Sequence, residues 1–387
     1  MQKKLHLGLV TSSSYATFGG VQYHTQNLGE ALIKLGTKVT FISPTSEKTF
    51  CPTPHLRIGR AIKIPTPNGS WATFSVTSRS TDEIAKTIAK RKIDILHFQE
   101  LNCPLSSWQI LAASMVKNVA TFHSGWNRSS YFENLQPFFK SIGQLLKNKI
   151  QATIVVSKTS AHCSQGVAPT KINIIPIALN LTPYQTLHPR PLKLSKNKIN
   201  LLYIGRLEKR KGVNKLIKAF NQLKPDIKQK TNLYLIGKGV LETTLRLQTK
   251  INKLENQVHF LGALSENQKI AYLQHCDIFI SPAIHGESLG ITLVEAMAAG
   301  KPIIAGNNDG YQETLANYPC QRCVVNPKNS QNFAKVIEEL ISDEKLRRQL
   351  ACWGPKHADK YSAEKVARQH LKIYTQLKII ANHQLIS

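Results

Sequence analysis

Two glutamates eight positions apart lie in the stretch of this chain that has the clearest chemical pattern. Glu287 and Glu295 belong to the segment His285-Gly-Glu-Ser-Leu-Gly-Ile-Thr-Leu-Val-Glu-Ala-Met-Ala-Ala-Gly300. A helix that begins near Gly290 would carry Glu295 and leave Glu287 in the preceding loop, where free backbone N–H groups attract anions. Two carboxylates beside an anion site suit a ligand that carries both hydroxyl and phosphate groups. A nucleotide sugar is such a ligand.

Three other turns have residues that suit phosphate binding. Gly19-Gly20 follows one predicted strand and opens a helix, so its backbone can approach a ligand closely. The loop Gly205-Arg-Leu-Glu-Lys-Arg-Lys-Gly212 follows another strand and carries Arg206, Arg210 and Lys211. A solvated basic loop is the alternative interpretation of that stretch. Ile236-Gly-Lys-Gly239 has two glycines of a dinucleotide-binding turn but lacks the full GxGxxG spacing.

The order of the predicted elements is that of two consecutive α/β units. Short apolar runs bounded by polar turns predict buried strands, and longer amphipathic stretches predict helices between them. In the first unit the predicted elements are strand Leu5–Val10, helix Val21–Leu35, and strands Thr37–Ile42, Asp94–His97, Val119–Phe122 and Ala152–Val156. In the second they are strand Ile199–Ile204, helix Val213–Leu223, and strands Leu233–Ile236, Val258–Leu261, Ile278–Ser281 and Pro302–Ala305.

This alternation predicts an α/β protein with two doubly wound, Rossmann-like parallel sheets facing a cleft. The stretch Thr182–Asn197 has three prolines and no acidic residue, which is typical of a linker. We therefore expect an N-terminal domain over 1–181 and a C-terminal domain over 182–362. A helix over about 363–387 would pack back on the first domain. The ligand is expected in the cleft, at the carboxyl ends of the strands.

Charge favours an anionic partner. The 387 residues include 51 Lys and Arg against 23 Asp and Glu, a formal net charge of +28. No acidic residue occurs between Asn134 and Arg206, and within this gap the stretch 137–150 reads as an amphipathic basic helix. Such a helix either packs against the core or lies on an anionic membrane surface. No run of eighteen apolar residues predicts a membrane span.

Cysteine usage predicts reduced thiols. The seven cysteines are odd in number and scattered, and Cys320-x-x-Cys323 has no second CxxC beside it. A metal or redox role for that pair is therefore not the favoured interpretation. The basic N-terminus resembles the start of a signal peptide, but its apolar run is short and turns polar at Thr11, so we expect a first strand there.

The motifs together resemble family 4 of the retaining glycosyltransferases, which have the GT-B fold. The resemblance is carried by Tyr203–Val213, Ile236–Gly239 and the Glu-x7-Glu stretch. It extends into the first half through Gly19-Gly-Val-Gln22, Asp94–His97 and Ala120–Ser124. The chain is most similar to the phosphatidylinositol mannosyltransferases, with which it shares Gly-Gly-Val-Gln, Pro67-Asn68-Gly69-Ser70 and Gly-Glu-Ser-x-Gly-Ile.

The resemblance implies a role for each motif. Glu287 and the backbone of Ser288, Leu289, Gly290 and Ile291 would hold the donor sugar, and Glu295 would hold the ribose diol. Arg206 and Lys211, with Arg210 nearby, would neutralise the diphosphate, supported by the Gly20 amide across the cleft. Leu264 through Lys269 would line the base pocket. His123 would stabilise positive charge on the sugar, and Gln22 and Asn68 would hold the acceptor.

The expected chemistry needs neither a metal nor a cofactor. The chain contains no Asp-x-Asp motif of the kind that binds a metal–diphosphate. Cationic side chains and a helix N-terminus can stabilise the leaving diphosphate instead. No carboxylate is placed as a nucleophile in the way a retaining glycosidase requires. We therefore expect same-face substitution through an oxocarbenium-like state, with domain closure excluding water.

The chain departs from the family pattern at two places, of which the first concerns local geometry and the second leaves the acceptor open. Ile175-Pro-Ile-Ala-Leu-Asn180 replaces the usual Ile-Pro-Asn-Gly-Val-Asp. The position of an arginine that contacts the lipid phosphate in the mannosyltransferases aligns with Thr73, and Arg79 or Arg128 could substitute for it.

The leading hypothesis is a hexosyltransferase at the cytoplasmic membrane face that moves mannose from GDP-mannose to phosphatidylinositol or a related glycolipid. A UDP-glucose-type transferase that acts on diacylglycerol or a soluble acceptor is the alternative enzyme. A non-catalytic basic protein that binds nucleic acid or membrane is the alternative from another class.

Overall fold

The chain forms two compact units in a computed structural model. The described residues are 4–15, 19–45, 51–65, 71–101, 105–123, 141, 144, 147–164, 171–191 and 193–383. Unit 1 comprises residues 1–180 together with 360–387, and unit 2 comprises residues 181–359. Unit 1 is therefore discontinuous in sequence, because its last helix follows the whole of unit 2.

Unit 1 is built on a parallel sheet. Within the described ranges this sheet has seven strands in the order β3-β2-β1-β6-β7-β8-β9, and each neighbouring pair is parallel. Every residue of the central strand β1 is buried, as expected where helices cover both faces of a sheet. The strands are β1 His6–Thr11, β2 Lys38–Ser43, β3 His55–Arg57, β6 Ile95–Gln99, β7 Lys117–Phe122, β8 Ala152–Val155 and β9 Ile172–Ile174.

Helices cover the two faces of this sheet with separate hydrophobic cores. One core joins the sheet to the first and last helices, with Leu28 and Leu32 packed near Val366 and Tyr374. The other core joins it to the second and third helices through residues such as Ile84 and Ile110. The helices in the described part of unit 1 are α1 Gly20–Lys34, α2 Thr81–Lys90, α3 Ser106–Ala113, α4 Lys158–Ser164 and, after unit 2, Ala363–His383.

Unit 2 repeats the architecture with a second parallel sheet. In the part of unit 2 that is described, six strands have the order β12-β11-β10-β13-β14-β15. They are β10 Ile199–Ile204, β11 Thr231–Ile236, β12 Val258–Gly262, β13 Ile278–Ser281, β14 Ile303–Gly306 and β15 Val324–Val325. The helices are α5 Thr182–Gln185, α6 Val213–Asn221, α7 Pro225–Gln229, α8 Glu242–Ile251, α9 Glu266–His275, α10 Ile291–Ala298, α11 Asp309–Thr314, α12 Ser330–Ser342 and α13 Glu344–Ala358. The terminal helix Ala363–His383 is then α14.

The fold prediction of two Rossmann-like parallel sheets is confirmed, and both sheets have a switch point. In unit 1 the strand order reverses at β1, which lies between β2 and β6. In unit 2 it reverses at β10, which lies between β11 and β13. Ligands of open α/β sheets bind outside the carboxyl ends of the strands at such points. The loops that follow β1, β6, β10 and β13 are therefore where a site is expected.

Several local predictions were incomplete or wrong. A hairpin of β4 Arg60–Pro65 and β5 Trp71–Val76 was not predicted, and Pro67–Ser70 between its strands lies outside the described residues. The predicted linker contains a short helix, α5, whose Tyr184 is buried. Most of the predicted basic helix 137–150 also lies outside the described residues, while Lys147–Lys149 form a 3-10 turn.

The prediction of reduced thiols is wrong for one pair of cysteines. Cys320 and Cys323 form a disulfide, and both are buried. The 3-10 turn Gln321–Cys323 brings their Cα atoms to 5.4 Å, which is within the range that a disulfide spans. The CxxC spacing is thus used for a cross-link in a tight turn.

No helix among the described residues is both long and apolar enough to cross a bilayer.

A glycine in the left-handed region begins helix α10. Gly290 has φ +86°, and a Cβ added to it would overlap the ring of Tyr311. Gly36, which follows α1, has the same φ of +86° but no atom within 4 Å of the added Cβ. The two positions therefore separate backbone strain from steric overlap.

We expect Gly36→Ala to lower the free energy of unfolding by about 1–2 kcal/mol, the cost of a left-handed alanine. Gly290→Ala should cost about 1–3 kcal/mol more, because Tyr311 is fully buried and cannot move aside without repacking. Urea unfolding of the two variants checks this. Equal losses would show that the Tyr311 contact is unimportant for the start of α10.

Candidate active site

A cluster of buried charges lies at the switch point of unit 2. Glu287, in the loop between β13 and α10, accepts from Arg210 (Nη1 to Oε1, 2.5 Å) and from Lys211 (Nζ to Oε1, 2.7 Å). The two cations belong to the loop between β10 and α6. All three side chains are at least four-fifths buried. The predicted donor residues Glu287, Arg210 and Lys211 are therefore brought together by the carboxyl ends of adjacent strands.

A second buried carboxylate holds the arginines of this loop. Glu208 forms ion pairs with Arg206 (Nη1 to Oε1, 2.7 Å) and with Arg210 (Nε to Oε2, 3.3 Å). The Arg206 side chain is still 53% exposed, so it is the most accessible of the three basic side chains. Three cations and the carboxylates Glu208 and Glu287 leave this charge cluster with one net positive charge.

Burial and pairing set the protonation of the charge cluster. Burial alone would raise the pKa of Glu287, but the charges of Lys211 and Arg210 outweigh it, and the pKa lies below its usual value. Burial lowers the pKa of Lys211, and the nearby Glu287 charge opposes that change. Glu287 is therefore ionised and can accept hydrogen bonds from hydroxyl groups.

Gly212 explains how Lys211 reaches Glu287. It precedes α6 with φ +71°, and a Cβ there would overlap the carbonyl of Pro282, which follows β13. The backbones of the two loops are thus in close contact. In the same region the Ile284 N–H donates to the Arg210 carbonyl at 2.8 Å. The charge cluster rests on this contact between backbones.

One carboxylate oxygen of Glu295 accepts hydrogen bonds from neighbouring side chains, and the other, called the open oxygen below, accepts none from the part of the chain that the structure describes. Its Oε1 accepts from the Tyr184 hydroxyl at 2.7 Å and from Lys269 Nζ at 3.0 Å. Its Oε2 is buried and has no hydrogen-bond partner among the described residues. Lys269 and Tyr184 also contact Glu266, at 2.7 and 3.1 Å. A buried carboxylate oxygen to which no group donates is suited to accept a hydrogen bond from a ligand.

The remaining donor-site residues surround the start of α10. Gly290 is the N-cap and has no side chain, so no capping side chain accepts a hydrogen bond from the first amide N–H groups of the helix. Ser288 and Leu289 precede Gly290, and Ile291 is the first helical residue. Leu264 lies in the turn between β12 and α9, just before a capping box formed by Ser265 and Gln268.

The predicted residues of unit 1 lie at the carboxyl ends of its central strands. Gly20 is the first residue of α1, whose N-cap Gly19 makes no side-chain cap. Gln22 is buried and donates to the Ser14 carbonyl at 3.3 Å, in the loop that follows β1. Asn68 lies outside the described residues. Gly20 and Gln22 thus lie at the switch point of unit 1.

His123 follows β7 and is held by residues at the end of β6. Its Nε2 lies 2.8 Å from Gln99 Oε1, and its backbone N–H donates to Glu100 Oε2 at 3.0 Å. Burial, with a contribution from His370, lowers the pKa of His123 to about 3. The imidazole is therefore neutral at physiological pH.

Sequence reasoning assigned no role to several of these groups. Glu208 lies inside a quoted motif, and Gln99 and Glu100 lie within three residues of the end of another, but no spacing rule marked them. Glu100 has φ +57°, an uncommon conformation for a non-glycine residue and one that clusters at functional sites. Tyr184 lies within the predicted linker, where its composition suggested no contact with Glu295.

Comparison with known families identifies the class of protein. Residues 18–182 match the family model described as Glycosyltransferase Family 4. Residues 185–357 match the model described as Glycosyl transferases group 1. Together with the two Rossmann-like sheets, these matches show that the chain belongs to family 4 of the glycosyltransferases and has the GT-B fold. It is an enzyme, which excludes the non-catalytic alternative.

Individual relatives agree with this assignment. A phosphatidyl-myo-inositol mannosyltransferase of Mycobacterium leprae is 28% identical over 379 residues, 96% of each chain. A GDP-mannose-dependent monoacylated alpha-(1-6)-phosphatidylinositol monomannoside mannosyltransferase of Corynebacterium glutamicum is 34% identical over 165 residues, 40% of this chain and 41% of the relative. The structure of sucrose-phosphate synthase from Thermosynechococcus elongatus has a TM-score of 0.75 at 21% identity and covers 97% of this chain and 99% of its own.

Lys269 and Glu295 should have a large coupling energy in a double-mutant cycle of the free energy of unfolding. Lys269→Met leaves the Glu295 carboxylate buried without its cation, and we expect a loss of about 3 kcal/mol or more in urea unfolding. Adding Glu295→Gln removes the unpaired charge. The double variant should therefore be about 1–3 kcal/mol more stable than the sum of the single changes predicts.

The exposed pair of Arg348 and Glu344 on α13 is the matched control. The same cycle there, Arg348→Met with Glu344→Gln, should give a coupling of about 0.5 kcal/mol or less. A coupling at Lys269 no larger than this control would contradict the buried ion pair.

Proposed function

We propose that this chain is a retaining, metal-independent hexosyltransferase that moves mannose from GDP-mannose to a phosphatidylinositol-type lipid. The observation that carries the proposal is the donor half-site at the switch point of unit 2. There Glu287 lies between Arg210 and Lys211, and Glu295 has an open carboxylate oxygen. The names of the Mycobacterium leprae and Corynebacterium glutamicum relatives support mannose and a phosphatidylinositol acceptor.

The nucleotide part of the donor fits the groups that line this half-site. The open oxygen of Glu295 can accept a hydrogen bond from a ribose hydroxyl, while Lys269 and Tyr184 fix the other oxygen. Arg206 and Lys211, with Arg210, supply positive charge for the diphosphate. The uncapped amides at the start of α10 add the positive end of a helix dipole. Leu264 and the residues up to Lys269 would surround the base.

The sugar would be held by Glu287 and assisted by His123. As the bond from the anomeric carbon to the phosphate oxygen breaks, positive charge develops on the sugar ring. A neutral imidazole tolerates that charge, whereas an imidazolium would repel it. The acceptor oxygen then bonds to the anomeric carbon on the face that the phosphate leaves, and its proton passes to the leaving phosphate. Configuration is retained by this route.

Cationic side chains can do the work of a metal ion at the leaving group. Displacement of Glu287 contacts by sugar hydroxyls would release part of the charge of Arg210 and Lys211 to the diphosphate. Arg206, which is half exposed, can reorient toward phosphate by giving up its ion pair with Glu208, which Arg210 still contacts. We therefore propose that transfer proceeds without a divalent cation, with Gln22 and Asn68 contacting the acceptor.

The excess positive charge supports action at an anionic membrane surface. The net charge of +28 would attract the anionic lipids of the cytoplasmic leaflet. Since no described helix can cross a bilayer, we propose peripheral attachment, with the lipid acceptor reached from the inner face.

Donor binding is tested by thermal-shift measurements with GDP-mannose, UDP-glucose and ADP-glucose, with and without EDTA. We expect GDP-mannose to stabilise the protein, by about 2.7 kcal/mol at a hundredfold excess over Kd, whether or not EDTA is present. Stabilisation by UDP-glucose alone would support the UDP-glucose-type alternative. No stabilisation by any of them would refute the donor half-site.

Catalysis is tested by changing Glu287. Glu287→Gln should lower transfer by at least about a hundredfold, because the neutral amide neither holds the hydroxyls nor balances Arg210 and Lys211. Glu344→Gln, at an exposed carboxylate of unit 2, is the matched control and should leave transfer unchanged. Full activity of Glu287→Gln would show that the donor sugar is bound elsewhere.

The acceptor is tested with vesicles of phosphatidylcholine alone, or mixed with phosphatidylinositol or with phosphatidylglycerol. We expect flotation with both anionic vesicles, falling steeply with salt, because the attraction is electrostatic. Labelled mannose should enter lipid only where phosphatidylinositol is present. Binding that ignores lipid charge would contradict the membrane proposal, and labelling of a different lipid would correct the acceptor.

A further inference from the structure

A buried polar network connects His123 to the last helix of the chain. Gln99 Oε1 lies 2.8 Å from His123 Nε2, and Gln99 Nε2 lies 3.3 Å from both ring nitrogens of His97. His97 in turn lies 2.6 Å from the Tyr374 hydroxyl on α14 and 2.6 Å from Thr121 Oγ1 on β7. All five residues are at least nine-tenths buried. Gln99 is therefore fixed between two imidazoles.

The orientation of the Gln99 amide determines which nitrogen of His123 carries the proton. An amide nitrogen at equal distances from both ring nitrogens of His97 lies over the face of that ring, and its N–H groups are attracted to the π electrons, which would repel a carbonyl oxygen. The carbonyl oxygen then faces His123, and a carbonyl can only accept a hydrogen bond. His123 must therefore be protonated at Nε2, which leaves the lone pair of a neutral ring on Nδ1.

The contacts of His97 keep Gln99 in place. Both ring nitrogens of His97 are engaged, one by Tyr374 and one by Thr121, so its ring cannot turn without losing a buried hydrogen bond. Register supports the same arrangement, since Gln99 on β6 pairs with Thr121 on β7, two residues before His123. The network spans β6, β7 and α14 within unit 1.

We propose that Gln99 is a positioning residue for transfer: its amide oxygen accepts a hydrogen bond from Nε2–H of His123 and so fixes the tautomer and orientation of that ring. The proposal rests on the proposed role of His123 in sugar transfer. His97, Thr121 and Tyr374 act one step further away, by holding Gln99.

The surroundings of His123 favour a neutral ring. Among the residues that the structure describes, the titratable groups that face it are His24 on α1, His97 on β6, Glu100 after β6 and His370 on α14. Burial, followed by contacts with the other imidazoles, lowers the pKa of His24 and His97, and burial lowers that of His370 to about 4. At neutral pH none of these imidazoles carries a charge, and the Glu100 side chain contacts the His123 backbone.

The variant Gln99→Glu tests the proposal through the pH dependence of kcat, which should not change if Gln99 has only a structural role. A carboxylate at this position still accepts a hydrogen bond from Nε2–H of His123, so kcat at pH 8.5 should stay close to the wild-type value. The same carboxylate stabilises an imidazolium, which raises the pKa of His123 from about 3 toward neutrality. As pH falls through the raised pKa, His123 becomes cationic and kcat should drop about tenfold per pH unit. The wild type should show no such decrease above pH 6.

Gln99→Leu removes the acceptor and should lower kcat by about 10–100-fold at every pH, with a small change in donor KM. Thr40→Val is the matched control, because it removes a buried contact with His6 (2.9 Å) on neighbouring strands of the same sheet. It should leave kcat unchanged. If the Gln99→Glu profile matches that of the wild type, or Thr40→Val slows transfer as much as Gln99→Leu, the proposal is overturned.

Histidine nitrogen NMR separates this proposal from the proposed function. With ¹⁵N-labelled histidine, His123 should show the Nε2–H tautomer in the wild type and a mixture of tautomers in Gln99→Leu. This measurement needs no substrate. If no nucleotide sugar supports transfer, the proposed function fails while the tautomer result still stands. If transfer occurs but His123 shows the Nδ1–H tautomer in the wild type, the positioning proposal alone fails.

Discussion

The ion pairs of Glu287 with Arg210 and Lys211 are the interaction on which the unit 2 site depends. Without ligand they satisfy three buried charges that would each be costly to leave unpaired. Their existence requires two loops from adjacent parallel strands to touch, and Gly212 permits that contact because it has no Cβ. A sugar that competes for Glu287 would therefore change the charge presented to phosphate at the same moment. In the proposed function, recognition of hydroxyl groups and stabilisation of a leaving diphosphate would be coupled through one carboxylate.

The sequence was sufficient to predict those features that local patterns determine. Parallel strands buried on both faces have sequences that are short apolar runs. The predicted ends of β1, β10 and β13 therefore agree with the observed ends to within about one residue. The Glu-x7-Glu spacing fixed one glutamate in a loop and the other on a helix. The family resemblance assigned the basic residues after β10 and Glu287 to one donor site. The structure brings Arg210 and Lys211 to Glu287, because neighbouring parallel strands end at the same edge of a sheet.

The rest could not be predicted because it depends on partners that are distant in sequence. Tyr184 contacts Glu295, which is 111 positions away in the sequence, and Tyr374 contacts His97, which is 277 positions away. No periodicity encodes such contacts. The basic charge of the loop after β10 also gave no sign that Glu208 pairs with two of its cations. The Cys320 pair depends on a 3-10 turn that the spacing does not specify.

The discontinuity of unit 1 has a consequence for how the protein is made. Helix α14 supplies Val366 and Tyr374 to the core beside α1. A chain that emerges from the ribosome N-terminus first exposes that face of the sheet until the last helix has been synthesised. Unit 2 can complete its own fold before then, because its residues are contiguous. Although domains often mature in the order of synthesis, the half of this enzyme that is translated first is the last to be finished.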